Sequence, residues 1–155
     1  MQLQAGVLPI HANDFLDVVE VWEASVRATH FFVSEADIQF FKPQVRDGLP
    51  QMAELACVRD SEGQVAGSIA VMSGKVEMQF IHPAWRGQGA GSRLLRYAVK
   101  VFGATTLDVN EQNQQAVDFC LRMGFEVIGR SELDGTGKPY PLLHMRLSRS
   151  RHDGF

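Results

Sequence analysis

The stretch Arg86-Gly87-Gln88-Gly89-Ala90-Gly91-Ser92 constrains this chain more than any other, because it joins an apolar strand-like run to an amphipathic helix. Glycines on alternate positions let the backbone turn tightly and leave no side chain between it and a ligand. The amides of such a turn, continued by the N-terminus of the next helix, form a site for phosphate oxygens, and Arg86 adds a fixed positive charge. An ordinary strand-to-helix connection is the other reading of the same glycines. Two common phosphate motifs do not match. A P-loop needs Lys directly before its Ser or Thr, but Gly91 precedes Ser92. A dinucleotide fingerprint needs Gly-x-Gly-x-x-Gly and an acidic residue closing the next strand. Here the spacing is Gly-x-Gly-x-Gly, and the next strand leads into Asn110-Glu111-Gln112-Asn113.

At 155 residues with 45% hydrophobic content, the chain can build one domain around a real core. A net charge of -3, with neither a basic run nor aromatics interleaved with Arg and Lys, argues against nucleic-acid binding. Cys57 and Cys120 are too few for a disulfide framework and form no Cys-x-x-Cys pair. No apolar run approaches a membrane span and no signal segment is recognisable, so a cytoplasmic location is expected.

Periodicity gives the element order. Leu3 to Val7 reads as a short strand closed by Pro9. Asn13 reads as the N-cap of a helix whose Phe15, Val18, Val19, Trp22 and Val26 recur at helical spacing. Ser34 with Asp37 opens a second helix that ends near Gly48-Leu49-Pro50. Strands are expected over 55–59, 65–72 and 76–82, joined as a meander by turns at Asp60-Ser61-Glu62-Gly63 and Ser73-Gly74. The glycine turn then opens a helix carrying Leu94, Leu95, Ala98, Val101 and Phe102. A strand over 105–109 follows, then a helix with Ala116, Phe119, Cys120 and Met123 on its apolar face, ended by Gly124. Strands over 125–133 and 140–147 flank a polar loop, and 148–155 reads as a flexible tail beyond one domain spanning 1–147. This mixed order points to an α/β sandwich around one sheet.

Arg86-x-x-Gly89-x-Gly91, behind a strand ending Phe80-Ile81-His82-Pro83, resembles the acetyl-CoA-binding motif of the GNAT superfamily of N-acetyltransferases. A second block runs from Asn113 through Ala116 and Phe119 to Gly124 and Phe125. It is similar to the superfamily's Asn-x-x-Ala-x-x-Phe-Tyr-x-x-x-Gly-Phe pattern, with Cys120 in place of the Tyr. The resemblance covers residues 55–147 and, more loosely, the N-terminal helices. Within the superfamily, the stretches at 109–113 and 137–143 resemble the bacterial YjaB group. The resemblance implies a single-domain, GNAT-like fold: a mixed, mostly antiparallel sheet of about seven strands flanked by about four helices. Its fourth and fifth strands would splay apart to admit the pantetheine arm. It also implies direct transfer of acetyl from acetyl-CoA, as co-substrate, to a primary amine of a small molecule or peptide. No metal, nucleic acid or membrane is implied, and the protein would be a monomer or homodimer.

Acetyl transfer needs a held donor, a deprotonated amine, a stabilised oxyanion and a tolerated thiolate. The amides of Arg86, Gly87, Gln88, Gly89, Ala90, Gly91 and Ser92 would hold the pyrophosphate. By resemblance, backbone groups of Phe80, Ile81 and His82 would pair with the pantetheine arm, with Asn113 and Phe119 also on the cofactor. Strand alternation puts Glu77, Gln79 and Ile81 on one face and Val76, Met78 and Phe80 on the other. Superfamily members often carry their base at or near the Glu77 position, where partial shielding would raise a carboxylate's pKa. A solvent-facing strand Glu is the alternative. Cys120 stands where the resemblance places a thiolate-protonating Tyr, and it is also a small apolar residue on a buried helix face. Tyr140 could supply the acid instead, or simply pack. His144 shares its strand parity and is a further candidate on the acceptor side, with a structural role as the alternative. Trp22, Thr29 and His30 are candidates on the acceptor side, with core packing the alternative for Trp22 and helix capping the alternative for His30. No metal-ligand spacing and no Ser-His-Asp set stand out. A non-catalytic acyl-CoA-binding regulatory module is the second functional reading.

Overall fold

The computed structural model describes residues 2–148, centred on an antiparallel meander of β2 (Glu54–Arg59), β3 (Val65–Met72) and β4 (Lys75–Ile81). Ser73 and Gly74 both adopt positive φ (51° and 78°), the conformation a tight hairpin demands. β3 is buried from Val65 to Val71, since helices cover both of its faces. At Gly67 the β3 and β4 backbones need the missing side chain: a Cβ there would lie 2.5 Å from Ile81 Cδ1. On the outer edge, β1 is only Leu8–Pro9, while Leu3 makes a single bridge to Asp60. The expected strand over 3–7 is thus shorter and later, interrupted by Gly6 at φ 81°.

α1 (Phe15–Thr29) and α2 (Glu35–Gly48) lie on one face of the meander. Asp14, rather than Asn13, organises the entry to α1: its carboxylate accepts from the His11 amide at 2.9 Å and grips Arg59 at 2.9 Å. Ser34 caps α2 as its sequence suggests, accepting from the Asp37 amide at 3.1 Å. Val18, Val19 and Val21 pack on Leu49, Cys57 and Val65, while Trp22 and Val26 pack on Ile38 and Phe80. Each such side chain contributes about 1.5–3 kcal/mol by leaving water.

α3 (Ala90–Phe102) covers the opposite face through Leu94, Leu95 and Ala98, all fully buried, and stops at Gly103 with φ 70°. Beyond it come β5 (Thr106–Asn110), α4 (Gln114–Arg122), β6 (Phe125–Ser131) and β7 (Leu142–Leu147). The strands form one sheet in the order β1-β2-β3-β4-β5-β7-β6, antiparallel except for the β4–β5 pair. β6 ends at Ser131 and β7 begins at Leu142, so Tyr140 precedes the strand on which its parity with His144 was expected. The tail expected over 148–155 lies outside the described residues apart from Ser148, whose amide bonds Gly124 O.

Candidate active site

β4 and β5 are paired only at Lys75↔Thr106 and Val76↔Leu107. Past those pairs the strands separate, opening a cleft through the sheet. The same point carries a bulge, because Val76 faces Val71 and Met78 faces Ala70, leaving Glu77 unpaired. The bulge reverses the side-chain alternation. Val76 joins the α3-side core, with Ile81 packed against it, and Gln79 bonds into α3, while Met78 and Phe80 pack toward α1 and α2. The face shared by Val76, Met78 and Phe80 in the sequence reading is therefore split between two sides.

Backbone bonding identifies which groups face the cleft. The His82 amide donates to Ala66 O, and its carbonyl accepts from the Trp85 amide, so His82 has no free main-chain group. By antiparallel alternation Phe80 is likewise committed to β3, and the main-chain groups of Gln79 and Ile81 turn into the gap. Of the three residues expected along the pantetheine arm, Ile81 turns its main-chain groups into the gap, as does Gln79, whereas those of Phe80 and His82 are bonded within the protein.

The glycine turn ends at the open side of this gap. Gly87 (φ 78°) and Gly89 (φ 84°) both adopt conformations that side chains disfavour, and open space surrounds both. Gly89 is the N-cap of α3 and has no side chain to satisfy the first-turn amides, which leaves them for an anion. Gln79 Nε2 donates to Gly91 O at 2.9 Å, tying the turn to β4. The Phe119 ring approaches Gly91 to 3.5 Å from its would-be Cβ, contact that closes the turn against α4. Arg86 bonds Gln115 on α4. Ala90 is buried, and Gln88 and Ser92 flank it, with Ser92 Oγ 3.4 Å from Gly89 O. Asn113 caps α4, its Oδ1 accepting from Ala116 N at 3.3 Å, and its Nδ2 lies 3.5 Å from His30 Nε2.

His30 follows α1 and spans the mouth of the cleft to Asn113. Thr29 Oγ1 donates to Ser25 O at 2.7 Å, so His30 Nδ1–H donates to Thr29 at 2.8 Å and Nε2 keeps its lone pair. Burial pushes the imidazole down to about 4, so it is neutral at physiological pH. Trp22 is in the core, 6% exposed against Val26 and Ile38, and does not line an acceptor pocket.

The Glu77 side chain is exposed, and its carboxylate makes no hydrogen bond or ion pair among the described residues, with Lys75 its nearby cation. The shielded cleft carboxylate foreseen there is not what the bulge produces. Cys120 is buried in the α3–α4 core beside Ala116 and Phe119, and burial drives its thiol up to about 11. A thiol that weakly acidic cannot readily protonate a thiolate of ordinary pKa, roughly 8.5. Tyr140 is also buried. Its hydroxyl donates to Asp37 on α2, and burial together with that carboxylate raises its pKa. Lys138 binds the other Asp37 oxygen at 2.9 Å, and Phe32 and Phe41 pack around the Tyr140 ring. Tyr140 thus fastens the β6–β7 loop to α2 and offers no proton to the cleft.

His144 does not join Tyr140. Its Nδ1 meets Asp108 at 2.6 Å and its Nε2 meets Ser131 at 2.6 Å, so both ring nitrogens are used within the protein and none is left for an acceptor. Lys75 completes the network at 2.7 Å from Asp108. Burial raises the Asp108 carboxyl, but hydrogen bonds from Lys75 and His144 outweigh it and hold the group below its ordinary value. Sequence reading found no Ser-His-Asp set, because these residues come from three strands whose order is not the chain order. The one available signal was the shared parity of alternating polar residues.

Comparison with known proteins agrees with this geometry. A family described as the acetyltransferase (GNAT) domain matches residues 20–148. The peptidyl-lysine N-acetyltransferase YjaB of Salmonella typhimurium is 41% identical over 128 residues, covering 83% of this chain and 88% of that protein. Its counterpart from Escherichia coli is 39% identical over 129 residues, covering 83% and 87%. The solution structure of apo-form YjaB from Escherichia coli superposes with a TM-score of 0.83 at 36% identity, covering 94% of this chain and 97% of that one.

Proposed function

The chain belongs to the GNAT acetyltransferase family, and from that membership we propose that it moves acetyl from acetyl-CoA directly to the ε-amine of lysine in a protein or peptide. The observation that carries the proposal is the parting of β4 from β5 immediately beside the uncapped N-terminus of α3. One opening offers unpaired backbone groups for an amide-bearing arm, and the other offers amides for its phosphates. The peptidyl acceptor rests on the names of the YjaB relatives.

In this reading the amides from Gly87 to Ser92 bind the pyrophosphate, and the main-chain groups of Gln79 and Ile81 align the pantetheine arm. Asn113, held by His30, frames the far side of the cleft. Acetyl-CoA supplies an acyl carbon activated by its thioester. Glu77 takes the ammonium proton, directly or through a water, once the amine enters from the α1 side. No buried acid is needed at Cys120, because a thiolate with pKa of roughly 8.5 is a tolerable leaving group near neutral pH. Cys120 also favours the second reading, a weakly active or inactive acyl-CoA-binding module, since the position that would hold an acid is sealed in the core.

Titration calorimetry with acetyl-CoA, followed by CoA-thiol release on lysine-containing peptides, separates the two. Binding with turnover supports the transferase, and binding without turnover on any amine supports the module. Absence of binding overturns both.

A further inference from the structure

On the sheet face away from α3 and α4, three strands bring together groups that acetyl transfer does not use. Leu107 and Val109 face the α3–α4 core, so Asp108 between them faces the other way, and Asp108 and His144 are direct partners in the β5–β7 ladder. A carboxylate only accepts, so the 2.6 Å contact with Asp108 requires the proton on His144 Nδ1. Nε2 then carries the lone pair, and the Ser131 hydroxyl at 2.6 Å donates into it. Lys75, on the second Asp108 oxygen at 2.7 Å, keeps that carboxylate charged. Gly129, the ladder partner of His144, has only hydrogen where a Cβ would lie 3.5 Å from the ring. The set is open to solvent: the His144 and Asp108 side chains are 34% and 22% exposed.

Nucleophile, base and orienting carboxylate therefore stand in the order that activates a serine. We propose that Ser131, His144 and Asp108 form a second, hydrolytic site that cleaves small activated carboxylic esters through an acyl-serine. Ser131 Oγ attacks the acyl carbon while its proton passes to His144 Nε2. The bond from the acyl carbon to the alcohol oxygen breaks, and His144 returns the proton to the departing oxygen. Water then attacks the acyl-serine, again giving its proton to His144; the bond from the acyl carbon to Ser131 Oγ breaks, His144 returns the proton to Oγ, and a carboxylic acid leaves. Ester and water yield acid and alcohol, and no further reactant is needed. The site stands independently of the acetyl-transfer reading.

The test is to treat the purified protein with diisopropyl fluorophosphate and locate the adduct by peptide mass spectrometry. One adduct on Ser131 is expected, with its formation slowed by about tenfold or more in His144→Gln and Asp108→Asn. Hydrolysis of p-nitrophenyl acetate should fall to the buffer rate in Ser131→Ala. A wild-type protein that takes no adduct, or takes it elsewhere, overturns the proposal without any variant. An ester hydrolysis that survives Ser131→Ala overturns it as well. Melting curves identify a variant that fails to fold, and the wild-type labelling and Ser131→Ala then decide.

Discussion

Along β3, strand β4 is paired from Lys75 to Ile81 except at the Glu77 bulge, whereas along β5 it is paired only at Lys75 and Val76. The closed side is built from small and apolar residues at close approach, with Gly67 admitting Ile81. On the open side are an uncapped helix end, unpaired main-chain groups and polar side chains that hold one another. A sheet buries its hydrogen-bonding groups by pairing them, so a strand left unpaired inside a fold presents groups that a ligand must satisfy. In the proposed reading, recognition falls where pairing stops and stability where it continues.

Overfilling the closed side should give the largest change. Gly67→Val pushes its side chain against Ile81 and the Phe80 carbonyl, and should cost about 3 kcal/mol in urea unfolding. Its effect on acetyl-CoA affinity per folded molecule should be far smaller. The reverse is expected on the open side. Gly89→Val faces empty space but a positive φ, so it should lose about a hundredfold in acetyl-CoA affinity by calorimetry, with a strain cost of about 1–2 kcal/mol. Equal losses of stability in the two variants would erase the comparison.

His30 sharpens it at the cleft mouth. Its folded pKa, about 4, lies below the 6.5 of an exposed imidazole, so the unfolded chain binds the extra proton. That contribution is complete above the unfolded value and is lost as pH falls from 6.5 toward 4. Between about pH 7.5 and about pH 5 the loss should be about 2 kcal/mol, and His30→Gln should remove that part of the slope in urea titrations. A variant with the wild-type slope would place the proton elsewhere. Glu77→Gln should lower kcat by about tenfold or more at neutral pH, with little change in melting temperature. Unchanged turnover would remove Glu77 as base. Smallest of all, Cys120→Ala should cost about 1 kcal/mol of stability and leave kcat within about twofold. A large loss of kcat in that variant would restore Cys120 as an acid.

Much of the open side was legible because it depends on local chemistry. The glycine turn and the Ser34 cap follow from residue type and spacing, and both are in place. The faces of β4 were misread because a bulge at Glu77 adds one residue to a period of two, and nothing in the residues at 75–79 announces it. Tyr140 was set on a strand because its neighbours alternate, yet a carboxylate on α2 draws it off the sheet. Trp22 at helical spacing was core, the reading its periodicity carried.

By itself the sequence determined the element order, the apolar face of each helix and the glycine turn, since hydrophobic period and φ preference act within a few residues. The tertiary structure alone decided that β7 inserts between β5 and β6, that β4 and β5 part after Val76, and that Asp108, His144 and Ser131 meet. Those outcomes depend on which strands lie side by side, and that is fixed by packing between segments distant in the chain.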